Sequence, residues 1–423
     1  MLRCLQLILI LIFTGFNSAY AQDFSNKGKE FYITFPSHAN AALAVMGLYI
    51  TADEDVNVKV YAGNNVTEFR LDARGVRRVF IGPNGVKSNA AVYLNQEEGI
   101  KAGSAVRVVA DKPVVVYSHI IRTARSAATL VLPTNVWGRR YITPLIASTS
   151  GSDRPQDNEG YPVITVVAKE ANTSVEIVTK APTSSGKPAG SVLAFTLQNP
   201  GDVYQVKFAR NSDISGTEVN SVSVNGEPCR PIAVFSSSTW SAFGCQSPSG
   251  GDNLYQQLFP VGTWGRNYIT APFKGKDSDI VRVYISEPNT TVTKLENGNT
   301  TQLLGLVNNS FYEYRTNNPT KITSDKPVSV VHFIMSQTCN TNNMPSDPEM
   351  IILNPVEQTI NNISVFSAHR NYVPPSQSNI DKCFLNIVIK SNSVSSFRIN
   401  DRVPAGTFVP IAGTEFSYLQ EDV

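Results

Sequence analysis

The stretch VWGRRYIT at residues 136–143 returns 127 positions later as TWGRNYIT at 263–270. A proline stands four residues before each tryptophan: Pro133 before Trp137, and Pro260 before Trp264. A third copy follows Pro355, with Thr359 in the tryptophan position and Ile363 where the others carry Tyr141 and Tyr268. A large aromatic, a glycine that lets the backbone turn and a strand-forming Tyr-Ile-Thr read as a packing unit, the ring covering the end of a core. Loss of both rings in the third copy marks the unit as structural and replaceable. A carbohydrate-stacking platform is the functional alternative, because tryptophan offers an apolar face with a polar handle.

The repetition extends beyond this motif. LYITADEDVNVKV from Leu48, VVAKEANTSVEIV from Val166, VYISEPNTTVTKL from Val283 and IVIKSNSVSSFRI from Ile387 share one plan of apolar strand, polar turn and apolar strand. A second signature follows the first three: ADKPVVVYSHII at 110–121, PCRPIAVFSSST at 228–239 and SDKPVSVVHFIM at 324–335. Proline lacks the N–H that a ladder needs, so Pro113, Pro231 and Pro327 are expected to mark strand starts. The runs after them are apolar on successive residues, as in strands buried on both faces. Val56, Val58 and Val60 alternate with polar residues, the period of a half-buried strand. The turn formers NPG at 199–201, ENGN at 296–299 and NNP at 317–319 punctuate the rest.

With 25 prolines, 27 glycines and no amphipathic helical stripe, the fold class is all-β. The architecture expected is tandem β-sandwich-like modules, three and a half repeats of roughly 100–120 residues. Module 1 spans 22–147, module 2 spans 161–272, module 3 spans 280–371, and 380–423 is a partial fourth. Polar junctions at 148–160, 271–279 and 372–379 separate them. The last module stops before its proline-led strand, so either the native chain continues past Val423 or this half packs on module 3.

Residues 1–21 carry Arg3, an apolar run from Leu5 to Phe13 and Ala19-Tyr20-Ala21, a secretory signal cleaved after Ala21. The apolar run is shorter than the roughly 20 residues that cross a bilayer, and no later segment approaches that length. The chain carries a net charge of +2, with its lysines and arginines dispersed, which argues against nucleic acid as a partner.

Cys4 lies in the leader, leaving Cys229, Cys245, Cys339 and Cys383, which allow three disulfide connectivities in an exported protein. Short separation favours the local pairs Cys229–Cys245 and Cys339–Cys383. No C-x-x-C occurs and no histidine neighbours a cysteine, so these residues do not read as a zinc site.

Catalysis needs a nucleophile with a base, paired carboxylates or a metal. Of His38, His119, His332 and His369, His119 and His332 fall late in the proline-led strands and read as hydrogen-bonded core residues. No G-x-S-x-G elbow, P-loop or H-E-x-x-H occurs. Asp153, Asp157 and Glu159 could gather around calcium, but Arg154 and Pro155 interrupt their spacing, and a solvated linker is the plainer reading. No cofactor or metal is expected, and the chain does not read as an enzyme.

Four stretches carry a family resemblance: GKEFYITFP near the N-terminus, DKPVVVYSH, LFPVGTWGRNYIT and SDPEMIILNPVEQTINNISVFSA. Together they resemble the IgGFc-binding protein N-terminal domain family, in the form carried by exported proteins of Bacteroidetes-type bacteria. The resemblance implies an extracellular, non-catalytic, β-rich region and transfers no catalytic residues. The expected function is a secreted or cell-surface binding and adhesion module whose loops recognise a mucus- or surface-associated protein or glycoprotein. The alternatives are a carbohydrate-binding module or a glycan-acting hydrolase.

Overall fold

The structure, a computed structural model, describes residues 26–39, 44–81, 98–122, 125–149, 160–341, 347–365 and 383–422. The expected leader, Asp153, Asp157, Glu159, His369 and the junction at 372–379 lie outside these residues. Among the described residues the regular structure is twenty-six strands and a few short 3-10 turns, and the protein is all-β.

The first unit contains β1 (Gly28–Ile33), β2 (Val45–Thr51), β3 (Val56–Ala62), β4 (Asn65–Leu71), β5 (Val76–Phe80), β6 (Gly99–Lys101), β7 (Val106–Arg122) and β8 (Arg125–Val131). The long strand β7 is its axle. The first half of β7 pairs with β1 and β3, and the second half with β2 and β8. One seven-stranded sheet therefore bends around a single strand.

The second unit contains β9 (Arg140–Ile142), β10 (Pro162–Ala168), β11 (Thr173–Val178), β12 (Val192–Leu197), β13 (Val203–Lys207), β14 (Glu218–Val222), β15 (Ile232–Ser241) and β16 (Asp252–Gln257). These form two sheets in the orders β16-β15-β10-β13-β6 and β12-β11-β14-β9, so β6 of the first unit completes a sheet of the second.

The third unit contains β17 (Gly265–Thr270), β18 (Asp279–Ile285), β19 (Val292–Glu296), β20 (Asn299–Leu303), β21 (Ser310–Thr316), β22 (Thr320–Ile334) and β23 (Glu349–Ile352). It repeats the bent seven-stranded plan around β22. The ENGN turn joins β19 to β20 with Asn297 and Gly298 both at positive φ, the two-residue hairpin that Asn-Gly favours. A fourth unit has β24 (Phe384–Lys390), β25 (Val409–Pro410) and β26 (Phe416–Asp422) in the order β24-β26-β25.

Pro113 and Pro327 correct the expected strand starts. Both lie inside continuous strands, at the irregularities between Glu30↔Val109 and Gly28↔Val114 and between Asn267↔Thr323 and Gly265↔Val328. A bulge leaves the backbone locally unpaired, so a missing N–H costs little there, and the bend hands the strand from one set of partners to another. Pro231 does precede a strand, because in the second unit residues 223–231 break the axle into β14 and β15. That interruption turns one bent sheet into two.

The units stack side by side and share cores. The first core, built on Phe31, Val58 and Val116, also takes Val167, Phe235 and Tyr255 from the second unit. The second core takes Tyr284, Phe333 and Met335 from the third. Strands β10 and β15 are consequently buried along their whole length, β10 with a nearly continuous apolar run and β15 with Ile232–Phe235 followed by buried serines and Thr239. Each fully buried Val, Leu, Ile or Phe contributes about 1.5–3 kcal/mol. The fourth unit packs on the third through Ile269 and Val356 against Val388, Ile411, Phe416 and Tyr418.

Stacking also decides the disulfide. The chain leaving β15 lies against the chain leaving β22: the Ser336 N–H donates to the Phe243 carbonyl at 3.0 Å, and the Ser249 N–H donates to Thr338 Oγ1 at 2.7 Å. Cys245 and Cys339 are thereby brought to a Cα separation of 5.4 Å and are joined. Cys229 and Cys383 are free thiols. Neither expected local pair forms, because contact between units, rather than proximity along the chain, sets the pairing.

Candidate functional site

The repeated motif is the seam between units, and it is cut between tryptophan and glycine. Trp137 is 5% exposed, belongs to the first core, meets the Tyr32 ring edge-on at 6.0 Å and donates its indole N–H to the Leu132 carbonyl at 3.1 Å. Four residues later Tyr141 lies in the second core. Its hydroxyl accepts from the Gly138 N–H at 2.9 Å and donates to the Ile232 carbonyl at 2.6 Å. Trp264 and Tyr268 repeat this one unit on: Trp264 sits in the second core, while the Tyr268 hydroxyl accepts from Gly265 and donates to Val328. Burial raises both phenol pKa values.

The glycines serve a different purpose from the turn expected of them. A β-carbon on Gly138 would lie 2.3 Å from Pro260 Cβ; on Gly28 it would lie 2.2 Å from Pro133 Cβ, and on Gly265 2.2 Å from Pro355 Cβ. Each of the first three units thus opens on a glycine and closes when the proline after its last strand lands on that glycine. Strand β9, expected to end the first module, is hydrogen-bonded to β14 of the second. The expected ends of the modules at 147 and 272 are displaced for the same reason. With both indoles enclosed, neither tryptophan offers a platform for stacking sugars.

Surface recesses lie on the second unit. One cleft of about 470 Å³ is lined by Glu98, Tyr161, Ser184, Ser185, Lys207 and Arg210. The Glu98 carboxylate accepts from the Lys207 N–H at 2.7 Å and from the Ser184 hydroxyl at 2.8 Å, while Lys207 Nζ lies 4.3 Å from the centre of the Tyr161 ring. Two cations, a carboxylate, hydroxyls and one aromatic suit polar recognition. These residues escaped the sequence reading, since polar residues at strand ends look like ordinary solvent exposure.

A smaller recess of about 220 Å³ lies between the second and third units beside Ile146, Phe243, Cys245, Arg282, Glu313 and Arg315. Arg282 is 5% exposed, pairs with Asp213 and Glu313 at 2.8 Å each, and lies 3.8 Å over the Phe311 ring. An arginine inside the apolar run DIVRVYI was a legible sign of such a buried tie.

The groups capable of catalysis are differently placed. His332 is buried, its Nε2 is 3.1 Å from Asp279 Oδ2, and Phe273 lies 4.2 Å from its ring. His119 is 2% exposed, its Nδ1 has no hydrogen-bond partner, and burial lowers its pKa to about 3. Asp252 is driven well above the usual carboxylate range by burial and by the neighbouring Asp347. Burial pushes Glu349 up to about 8. Among the described residues no group of histidines, cysteines or carboxylates is arranged to hold a metal ion.

Fold and seam define an all-β protein of stacked, mutually closed units, with open recesses between and beside them. The model of the family described as IgGFc binding protein matches residues 127–423, more than half of the chain. The chain belongs to that family. No curated protein matches it. Among solved structures, a Ca2+-stabilized adhesin with which an Antarctic bacterium binds ice is 12% identical, with 77% of this chain and 73% of that one covered at a TM-score of 0.14. A 1.5-MDa bacterial ice-binding adhesin is 11% identical over 75% of this chain and 92% of its own, at a TM-score of 0.12. At such scores neither likeness bears on fold or ligand. No helix among the described residues is long and apolar enough to cross a membrane.

Proposed function

We propose that the protein is an extracellular, non-catalytic binding and adhesion module that holds a protein or glycoprotein ligand with loops on its rigid β platform. Membership of a family described by immunoglobulin Fc binding carries this reading and makes an Fc region the first ligand to try. The shared cores support it, since loops anchored on a stiff scaffold keep their shape for recognition. The burial of His332 beneath Phe273 fits a structural role better than proton transfer. The leader at residues 1–21 and the disulfide between units accord with an oxidising location outside the cell.

The polar cleft around Lys207 is the proposed contact surface, and its hydroxyls and Tyr161 ring suit a glycoprotein's sugars as well as its peptide. The test is surface plasmon resonance of the mature chain against Fc with and without its glycans, and against mucin. Binding that falls at least tenfold with Arg210→Glu or Ser185→Arg, both exposed positions, supports the cleft. Undiminished binding by both variants removes the cleft. Turnover of a glycan panel without stable binding would replace the module reading with the hydrolase.

A further inference from the structure

We propose that the outer edge of β12 is a strand-addition site: one extended strand of a protein ligand pairs with β12 and lies over Ile100 of β6. The second unit is built unevenly on this side. One of its sheets runs β16-β15-β10-β13-β6 and the facing sheet runs β12-β11-β14-β9. Phe195 of β12 stacks on Tyr204 of β13 at 3.7 Å. The facing sheet therefore ends opposite β13, and β6 projects one strand further.

Register fixes the direction of the projecting side chain. Val166, Tyr204 and Ile100 are directly paired across β10, β13 and β6, so they share one face, and Val166 lies in the second core. The row facing them is Ser221, Val175 and Phe195 on β14, β11 and β12. That row stops at Phe195, and Ile100 is left 50% exposed. Among the described residues no strand pairs with the outer edge of β12 or of β6. The first and third units have no such step, since their sheet paths end at β5 and β21, the counterparts of β13.

The edge is also chemically open. Its counterpart β4 carries Glu68 and Arg70, paired with Lys59 and Asp55, and its counterpart β20 is polar up to Leu303. β12 reads Val-Leu-Ala-Phe-Thr-Leu, without charge, proline or glycine, and Val192 is 56% exposed. Charge and proline are the usual guards of an edge, and an edge without them accepts strands. A second copy of the chain set edge to edge would bring its own β13 into the space that β6 covers, so a lone strand is the occupant that fits. Its alternate residues are apolar where they face Ile100 and polar where they face solvent, and its main chain supplies the ladder. The site rests on the reading of a protein-binding module but not on the polar cleft, whose binding of Fc and mucin is measured separately.

The test is titration of the intact protein with a labelled peptide copying residues 172–179, the alternating strand that β12 already pairs with on its inner edge, followed by hydrogen exchange. Saturable binding that slows exchange across 192–197 is expected. Ile100→Glu, at an exposed position, should weaken it at least tenfold. A strand added to an edge is paired on one side only, so N-methylation of one alternate set of peptide amides should weaken binding at least tenfold, and of the other set should leave it unchanged. Failure to bind, binding that leaves 192–197 unprotected, binding indifferent to Ile100→Glu or to both methylated sets, or self-association through 192–197 in place of peptide binding would overturn the proposal.

Discussion

The seams at 133–143 and 260–270 and the segment 355–365 begin from the same proline and 3-10 turn, yet they finish differently. In the first two, tryptophan seals the unit behind while glycine and tyrosine begin the unit ahead. In the last, Pro355 still closes on Gly265, but Thr359, Ile360 and Ile363 replace the two rings and the glycine. In the first two, the tyrosine hydroxyl donates to a carbonyl of the unit ahead, Ile232 or Val328, and the glycine meets the proline that closes that unit, Pro260 or Pro355.

The widest contrast is expected at the tryptophan position. Trp264→Ala should cost about 3–5 kcal/mol in urea unfolding, because it empties a core site. Thr359→Ala, an exposed position, should stay within about 0.5 kcal/mol. Equal effects would dissolve the distinction between the seams.

Acid should act on the first unit through His119, which stands in β7 with its pKa lowered from 6.5 to about 3 by burial. A folded-state pKa below the unfolded one gives stability that is complete above pH 6.5 and lost as pH falls toward 3. Between pH 7 and pH 4 His119 should therefore remove about 3 kcal/mol, a loss that His119→Leu abolishes. Equal acid sensitivity in wild type and variant would contradict this.

The glycine position should show a smaller difference. Gly138→Ala drives a β-carbon into Pro260 and should destabilise by about 2 kcal/mol, while Ile360→Ala at the aligned position should be nearly neutral. Smallest is Tyr268→Phe, which leaves the Gly265 N–H and the Val328 carbonyl without their partner and should cost about 1–2 kcal/mol by thermal unfolding.

Much of the fold could be read in the sequence because its signals are local. The alternation at Val56, Val58 and Val60 matches their burial, the ENGN turn matches its dihedrals, and the continuous apolar runs match strands buried on both faces. What escaped depends on how units meet. The pairing of Cys245 with Cys339 needs two exit chains side by side, and the glycines of the motif, Gly138 and Gly265, answer to Pro260 and Pro355, far along the chain. Pro113 read as a beginning because a bulge inside a seventeen-residue strand resembles a start in sequence. The polar cleft was illegible for a related reason. Its members Glu98, Tyr161 and Lys207 come from separate strand ends and become neighbours only through the fold.

Hydrogen exchange of Trp137→Ala and Tyr141→Ala tests most directly whether the boundary between units falls inside the motif. The first variant should speed exchange in β1 and β7 while leaving β11 and β14 protected, and the second should do the reverse. Loss of protection in the same unit for both variants would show that the eight residues belong to one core, and the seam would not exist.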